Sequence, residues 1–214
     1  LRIFKNVVFS IFFSLLIIGG IIRFTVGFKE LYYFDIDYLH IPEITNISEE
    51  EIKLNYDYLI DYNLGKVSGE FEMPTIKSSP QGKIHFEEVR EIVQNVIKLF
   101  IVCIIVCIVG AFVSMKDKNI EILKWTSRTL IILPITLAIP ILINFDKSFV
   151  IFHELLFDND YWIFDPMLDP VINILPQEFF LHAGIMILVL IFISSIIIYA
   201  IYKYLKANTF KLNH

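Results

Sequence analysis

Two histidines hold most of the acid–base chemistry that this sequence offers. His85 opens the run His85-Phe86-Glu87-Glu88-Val89-Arg90. On a helix His85 and Glu88 stand at i, i+3, close enough for the two side chains to meet. A carboxylate beside a histidine fixes its tautomer and raises its basicity, a setting that suits a general base. The same run also reads as a surface histidine among solvated acids. His153 stands between Phe152 and Glu154 in an otherwise apolar run, and a histidine there is either a satisfied interfacial residue or a catalyst. Both precede or enter apolar segments, so the two rings could face one another across a cleft at a membrane surface.

The 146–180 segment is too charged to span a membrane and too apolar for a solvated loop. Asp158, Asp160, Asp165 and Asp169 offer oxygen ligands of the kind calcium takes, but their spacing lacks the glycine and terminal glutamate of an EF-hand loop. Asp165-Pro166 and Asp169-Pro170 are turn and cap dipeptides. Structural roles are therefore favoured: orienting a histidine, capping a helix, tying the segment down. Tyr161 and Trp162 are natural interface anchors. His40, His182 and His214 receive structural readings, with His182 as a cap or pairing partner at the start of a helix. The sequence has no HExxH, Walker loop, paired-cysteine site or G-x-S-x-G elbow, and neither a metal nor a cofactor is expected. Cys103 and Cys107, four apart in apolar sequence, are expected to pack within a helix bundle.

These residues need a scaffold, and composition indicates which kind. A chain of 214 residues that is 56% apolar, with 20 Phe and 10 Tyr, carries more apolar mass than one soluble core of this size needs. The runs Val7 to Ile22, Leu99 to Met115, Thr129 to Phe145 and Leu181 to Tyr202 are each close to the roughly 20 residues that cross a hydrocarbon layer of about 30 Å. The first is too long for the apolar region of a signal peptide, and no small-x-small site follows it, so a retained anchor is expected. Arg2 and Lys5, then Lys116, Lys118, Lys124 and Arg128, then Lys203, Lys206 and Lys211 flank the spans on one side, opposed only by Asp117 and Glu121. The remaining acidic residues fall in 29–98 or 146–180. Positive loops stay in the cytoplasm, which puts both termini inside and the two acidic segments outside. The formal net charge of −5 averages two oppositely charged sides, and no basic aromatic patch suggests nucleic acid.

The expected fold is an α-helical membrane protein of four transmembrane helices, with a small extracytoplasmic mixed helix/strand domain and a re-entrant or interfacial outer loop. In order these are a first span (1–26), an extracytoplasmic domain (27–95), a second span (96–115), a cytoplasmic loop (116–128), a third span (129–145), an extracytoplasmic interfacial segment (146–180), a fourth span (181–205) and a cytoplasmic tail (206–214). Within the outer domain, Phe28 to Ile41 shows no clear period. Ser48-Glu49-Glu50-Glu51 is a capping box, and Ile52, Tyr56, Leu59 and Ile60 follow at helical spacing up to Gly65. Val67 to Met73 alternates as a short strand would, and Ser78 to Gly82 reads as a turn. From Phe86 onward the pattern is helical and continues into the second span. Pro134 and Pro140 bend the third span. No internal repeat is visible, which argues against an inverted-repeat transporter.

Taken together, these motifs resemble a known family. His85-Phe-x-Glu88-Val-Arg90, preceded by Ser79 and Gly82, is similar to its first signature. Phe152-His153, Phe157, Trp162, Asp165-Pro166, Asp169, Leu175-Pro176 and Phe179-Phe180 are similar to its second, longer and more specific one. The family consists of small four-helix bacterial integral membrane proteins and includes the lipoprotein intramolecular transacylase. The resemblance implies a bacterial cell-membrane location, diacylglyceryl-modified lipoproteins and membrane lipid as partners, and transfer of one acyl chain from the glyceryl sn-2 oxygen to the α-amine of the N-terminal cysteine. The product is the N-acyl, S-monoacylglyceryl form. On this reading His85 is the base, oriented by Glu88, and His153 the acid or oxyanion donor, with the two roles open to exchange. Arg90 would hold a peptide carbonyl or tune Glu88, and Asp160, Trp162, Asp165 and Asp169 would support the site. A non-catalytic lipid- or lipoprotein-binding module and a membrane esterase remain as alternatives, and oligomeric state is left open.

Overall fold

Helices make up the regular structure of the computed structural model, which describes residues 2–211. In chain order they are α1 (Arg2–Gly27), α2 (Lys29–Tyr38), α3 (Ile41–Thr45), α4 (Glu49–Asn63), α5 (Pro80–Lys116), α6 (Glu121–Ile143), α7 (Phe145–Leu156), α8 (Val171–Ile174) and α9 (Gln177–Lys211). Four of them, α1, α5, α6 and α9, are long and apolar enough to cross a membrane; they contain three of the runs expected from composition, and all but the end of Thr129 to Phe145. The third stops at Ile143 because Asn144 caps α7, its side chain accepting from the Lys147 backbone N–H at 2.9 Å.

The chain divides into two compact units. The first comprises Leu1–Arg23, Ile97–Ile143 and Ile185–His214. Its helices pack through small residues and satisfied hydroxyls, as apolar surroundings demand. Gly110 lets Phe9 approach so closely that a Cβ there would lie 2.7 Å from the ring. Ser195 donates to the Ser127 carbonyl at 2.8 Å. Cys103 and Cys107 are free and buried. His214, expected as a terminal structural residue, and the last residues of the 206–214 tail lie outside the described residues.

The second unit comprises Phe24–Val96 and Asn144–Gly184. Its core gathers Tyr32, Ile36, Ile52, Tyr56, Phe71, Phe86, Val171 and Ile174; each large side chain so buried contributes about 1.5–3 kcal/mol. Tyr32 and Tyr56 stack, Phe179 meets both edge-on, and the Tyr32 hydroxyl donates to the Ile174 carbonyl. The capping serine is confirmed, since Ser48 accepts from the Glu51 N–H at 3.2 Å.

Three expectations for this unit are corrected. No strand occurs among the described residues, so the outer domain is helix and irregular chain rather than mixed helix and strand. Among the described residues Val67 to Met73 is paired with no strand. Within it the Glu72 N–H donates to the Tyr58 hydroxyl of α4 at 2.8 Å, and just beyond it the Thr75 and Ile76 N–H groups donate to Asn55 Oδ1. The alternation did mark which side chains go in, because Phe71 and Met73 are buried. Second, most of Phe28 to Ile41 forms α2. Its inward face carries Tyr32, Asp35 and Ile36, and the buried acid hid the apolar period. Third, Ser78 to Gly82 is a helix start rather than a free turn, as described next.

Candidate active site

The helix that carries His85 is started by its own sequence and held by a distant aspartate. Ser79 Oγ accepts from the Gly82 N–H at 2.9 Å, and Pro80 takes the first helical position, where a missing N–H costs nothing. Asp169 Oδ1 accepts the Ser79 N–H at 2.7 Å. Asp169 is buried, and its carboxylate lies against Gly82 where any Cβ would collide with it. A negative charge at a helix N-terminus is also electrostatically favourable. The segment after α7 is thereby fastened to the opening turn of α5, one turn before His85.

His85 is 5% exposed. Its ring lies 4.7 Å from Phe157, 5.4 Å from Phe164 and 6.2 Å from the ring of His153. The two histidines, 68 positions apart, are thus neighbours. His85 lies outside the apolar span Leu99 to Met115. Burial, with a smaller contribution from His153, lowers its pKa to about 4, so the imidazole is neutral at physiological pH. Its Nδ1 is buried without a hydrogen-bond partner among the described residues.

His153 sits in the last turn of α7. Its Nδ1 lies 2.7 Å from the Phe149 carbonyl, an acceptor only, so the hydrogen-bond network assigns the proton to Nδ1. Nε2 then keeps its lone pair. Burial lowers the His153 pKa, and the carbonyl partly counters this. Trp162 stacks on the ring at 4.8 Å and is itself fixed by an indole N–H donated to the Asn159 carbonyl at 3.1 Å.

Glu88 does not orient His85 as the i, i+3 spacing predicted. Its Oε1 accepts from Asn159 Nδ2 at 2.8 Å, and its Oε2 is buried with no partner among the described residues. The His85 ring is taken up by Phe157 and Phe164, while Asn159 supplies the carboxylate with an amide donor. Asn159 was not singled out in the sequence; the only signal was its place in Asp158-Asn159-Asp160, since its Oδ1 also accepts the Tyr161 N–H at 3.1 Å.

The other expected residues have plainer surroundings. Arg90 lies 4.5 Å over the Tyr62 ring, a cation–π contact. Asp165 Oδ1 accepts from the Met167 N–H at 2.8 Å, and its carbonyl accepts from Leu168 and Asp169, which is the turn role its proline pair implied. Asp160 is exposed, its carbonyl accepting from Ile163. These aspartates do not converge; no group of three or more potential ligands is placed to hold a metal among the described residues. His182 pairs through Nδ1 with the wholly buried Asp35 at 2.7 Å, and His40 joins α2 to α3 at a left-handed φ of 54°.

The arrangement therefore offers two neutral imidazoles in an aromatic enclosure and a carboxylate with one oxygen unused. That is equipment for moving protons around a reacting carbonyl.

A family model described as the lipoprotein intramolecular transacylase Lit matches residues 7–180. Among solved structures, the membrane integral lipoprotein intramolecular transacylase Lit from Bacillus cereus is 41% identical, covers 97% of each chain and superposes with a TM-score of 0.93. The same Bacillus cereus protein carrying an H85R mutation is 39% identical over 100% of this chain and 95% of its own, with a TM-score of 0.90. Its H85A form is 40% identical over 97% of this chain and 94% of its own, at 0.89. No curated protein sequence matches the chain.

Proposed function

The chain belongs to the lipoprotein intramolecular transacylase family of acyltransferases, and from that premise we propose that it moves the sn-2 acyl chain of a diacylglyceryl lipoprotein onto the α-amine of the same lipoprotein's N-terminal cysteine. The observation that carries this reading is the confrontation of His85 and His153 at 6.2 Å in one aromatic enclosure.

The α-amine has a reference pKa near 8, so part of it is neutral at physiological pH. Glu88 Oε2, which has no partner among the described residues, draws in the ammonium form and takes its extra proton, passing it to solvent before the next substrate binds. The neutral amine nitrogen attacks the ester carbonyl carbon. A nitrogen–carbon bond forms and the carbonyl oxygen becomes an oxyanion, stabilised by a hydrogen bond from the neutral His85 ring. His153 Nε2 takes the proton that the attacking nitrogen sheds. The imidazolium returns it to the glyceryl oxygen as the carbon–oxygen bond breaks. Protons balance and no second lipid enters. This reverses the roles first expected, because the Phe149 carbonyl leaves His153, not His85, with a defined acceptor nitrogen.

Donor ester and acceptor amine belong to one molecule, so holding them in one pose makes the step effectively unimolecular. Phe157, Phe164 and Trp162 supply an apolar enclosure around it; Asp169 and Asp165 support it by fastening the segment that carries Trp162. Arg90 and Asp160 act at the domain's edges, through Tyr62 and the 160–163 turn. The distribution of lysine and arginine supports a site on the extracytoplasmic face with both termini in the cytoplasm. A lipoprotein substrate incubated with the purified protein tests the reaction: transfer conserves total acyl content, whereas release of free fatty acid identifies an esterase and an unchanged substrate a binding module.

A further inference from the structure

The turn between α5 and α6 contains a backbone conformation that its sequence does not favour. The Asn119 N–H donates to the Ser114 carbonyl and the Lys118 N–H to the Met115 carbonyl. This is the pattern of a helix terminus closed by a left-handed residue, where glycine is the usual occupant. Here the residue is Lys118, at φ 47°. A side chain in that conformation is disfavoured and persists only where its surroundings over-determine it. They do so here. Lys5 pairs with Asp117 at 2.6 Å on one side. On the other, Asn119 accepts from Arg2 and donates to Asn6 at 2.6 Å.

Lys118 lines a cleft of about 680 Å³ within the first unit, together with Phe13, Ile17, Met115, Leu123 and Ile198. That volume is in the range of ligand pockets. The lining is mostly apolar; of its polar side chains, Thr126 and Asn119 are spent inside the protein and Ser114 offers a neutral hydroxyl. The nearby acids are spent too: Asp117 on Lys5, Glu121 on Tyr202, Lys124 and Lys206. The Lys118 ammonium has no hydrogen-bond or ion-pair partner among the described residues. One uncompensated ammonium thus stands beside an apolar cleft formed by membrane-spanning helices.

We propose that this cleft is a binding site for an anionic phospholipid of the membrane, one acyl chain lying in the cleft and the phosphate meeting Lys118. Basic pockets between spanning helices select headgroups in this way. The lysine is retained in a glycine position because its charge reads the phosphate. The site is separate from the two histidines and does not depend on the proposed acyl transfer.

The test uses the whole protein, reconstituted in vesicles of equal phosphatidylglycerol and phosphatidylcholine, extracted gently and examined by native mass spectrometry. Phosphatidylglycerol should be retained about 5-fold over phosphatidylcholine, the preference that one lysine's attraction to an anionic surface gives. Lys118→Gly and Lys118→Glu should lose that preference, and Lys118→Arg should keep it. Lys118→Gly relieves the left-handed backbone, so it should melt no lower than the parent, which separates lost binding from lost folding. Leu123→Trp, which fills the cleft, should reduce retention with the lysine in place. Equal retention of the two lipids by the parent, preference surviving in Lys118→Gly, or undiminished retention in Leu123→Trp would each overturn the proposal.

Discussion

The carboxylate of Asp169 occupies the space that a side chain at position 82 would need, and from there it accepts the Ser79 N–H at 2.7 Å. Gly82 is therefore required by a close approach rather than by an unusual backbone angle. Gly82→Ala should displace Asp169, free the Ser79 N–H and destabilise the protein by about 2 kcal/mol. Gly184, with nothing within 4 Å of an added Cβ, is the control: Gly184→Ala should be neutral or slightly stabilising in a helix. Thermal unfolding of the two variants in one detergent makes the comparison.

A second prediction concerns pH. The folded pKa of His85, about 4, lies below its ordinary value of 6.5, so the unfolded chain binds the proton more readily. The stabilisation from its neutral burial is complete above pH 6.5 and is lost as pH falls from 6.5 towards 4, by about 3 kcal/mol. His153, also lowered by burial, acts in the same direction. The melting temperature of His85→Leu should fall less steeply over that window than the parent's. Parallel profiles would show that His85 is not held neutral.

Asn55 holds the chain just beyond the expected strand. Wholly buried, it accepts from the Thr75 and Ile76 N–H groups and donates to the Glu51 carbonyl and Thr75 Oγ1. Asn55→Leu leaves those backbone groups unpaired and should cost about 3 kcal/mol. Limited proteolysis should detect it first between residues 64 and 79.

Glu88 tests substrate recognition apart from folding. Glu88→Gln keeps a carbonyl for Asn159 and removes the charge from the unpartnered oxygen. KM for a free-amine lipoprotein peptide should rise about tenfold, one charge-assisted hydrogen bond, with little change in melting temperature. An unchanged KM would remove Glu88 from ammonium binding.

The four spans and the two histidines were legible because each signal is local: long apolar runs, lysine distribution, and titratable residues in unlikely company. What escaped notice depends on distant partners. Asp35 interrupts the apolar face of α2 because His182, 147 positions away, receives it. Val67 to Met73 alternates like a strand because one side faces the core, but its Glu72 N–H bonds a side chain of α4 rather than a second strand. Glu88 was assigned to its near neighbour His85, whereas Asn159, 71 positions on, competes successfully for it. The pairing of the two histidines was conceivable from sequence, but its geometry was not, because it depends on Asp169 docking at the start of α5.

The most direct test of the central claim is mass spectrometry of the N-terminal peptide of a diacylglyceryl lipoprotein from cells producing the parent protein, His85→Ala or His153→Ala at matched, folded levels. The parent should yield a peptide of unchanged total acyl mass with one chain on nitrogen. Either alanine variant should leave both chains on the glyceryl group. Nitrogen acylation that persists in His153→Ala would contradict the account, which carries the proton from the amine to the leaving oxygen through His153 Nε2.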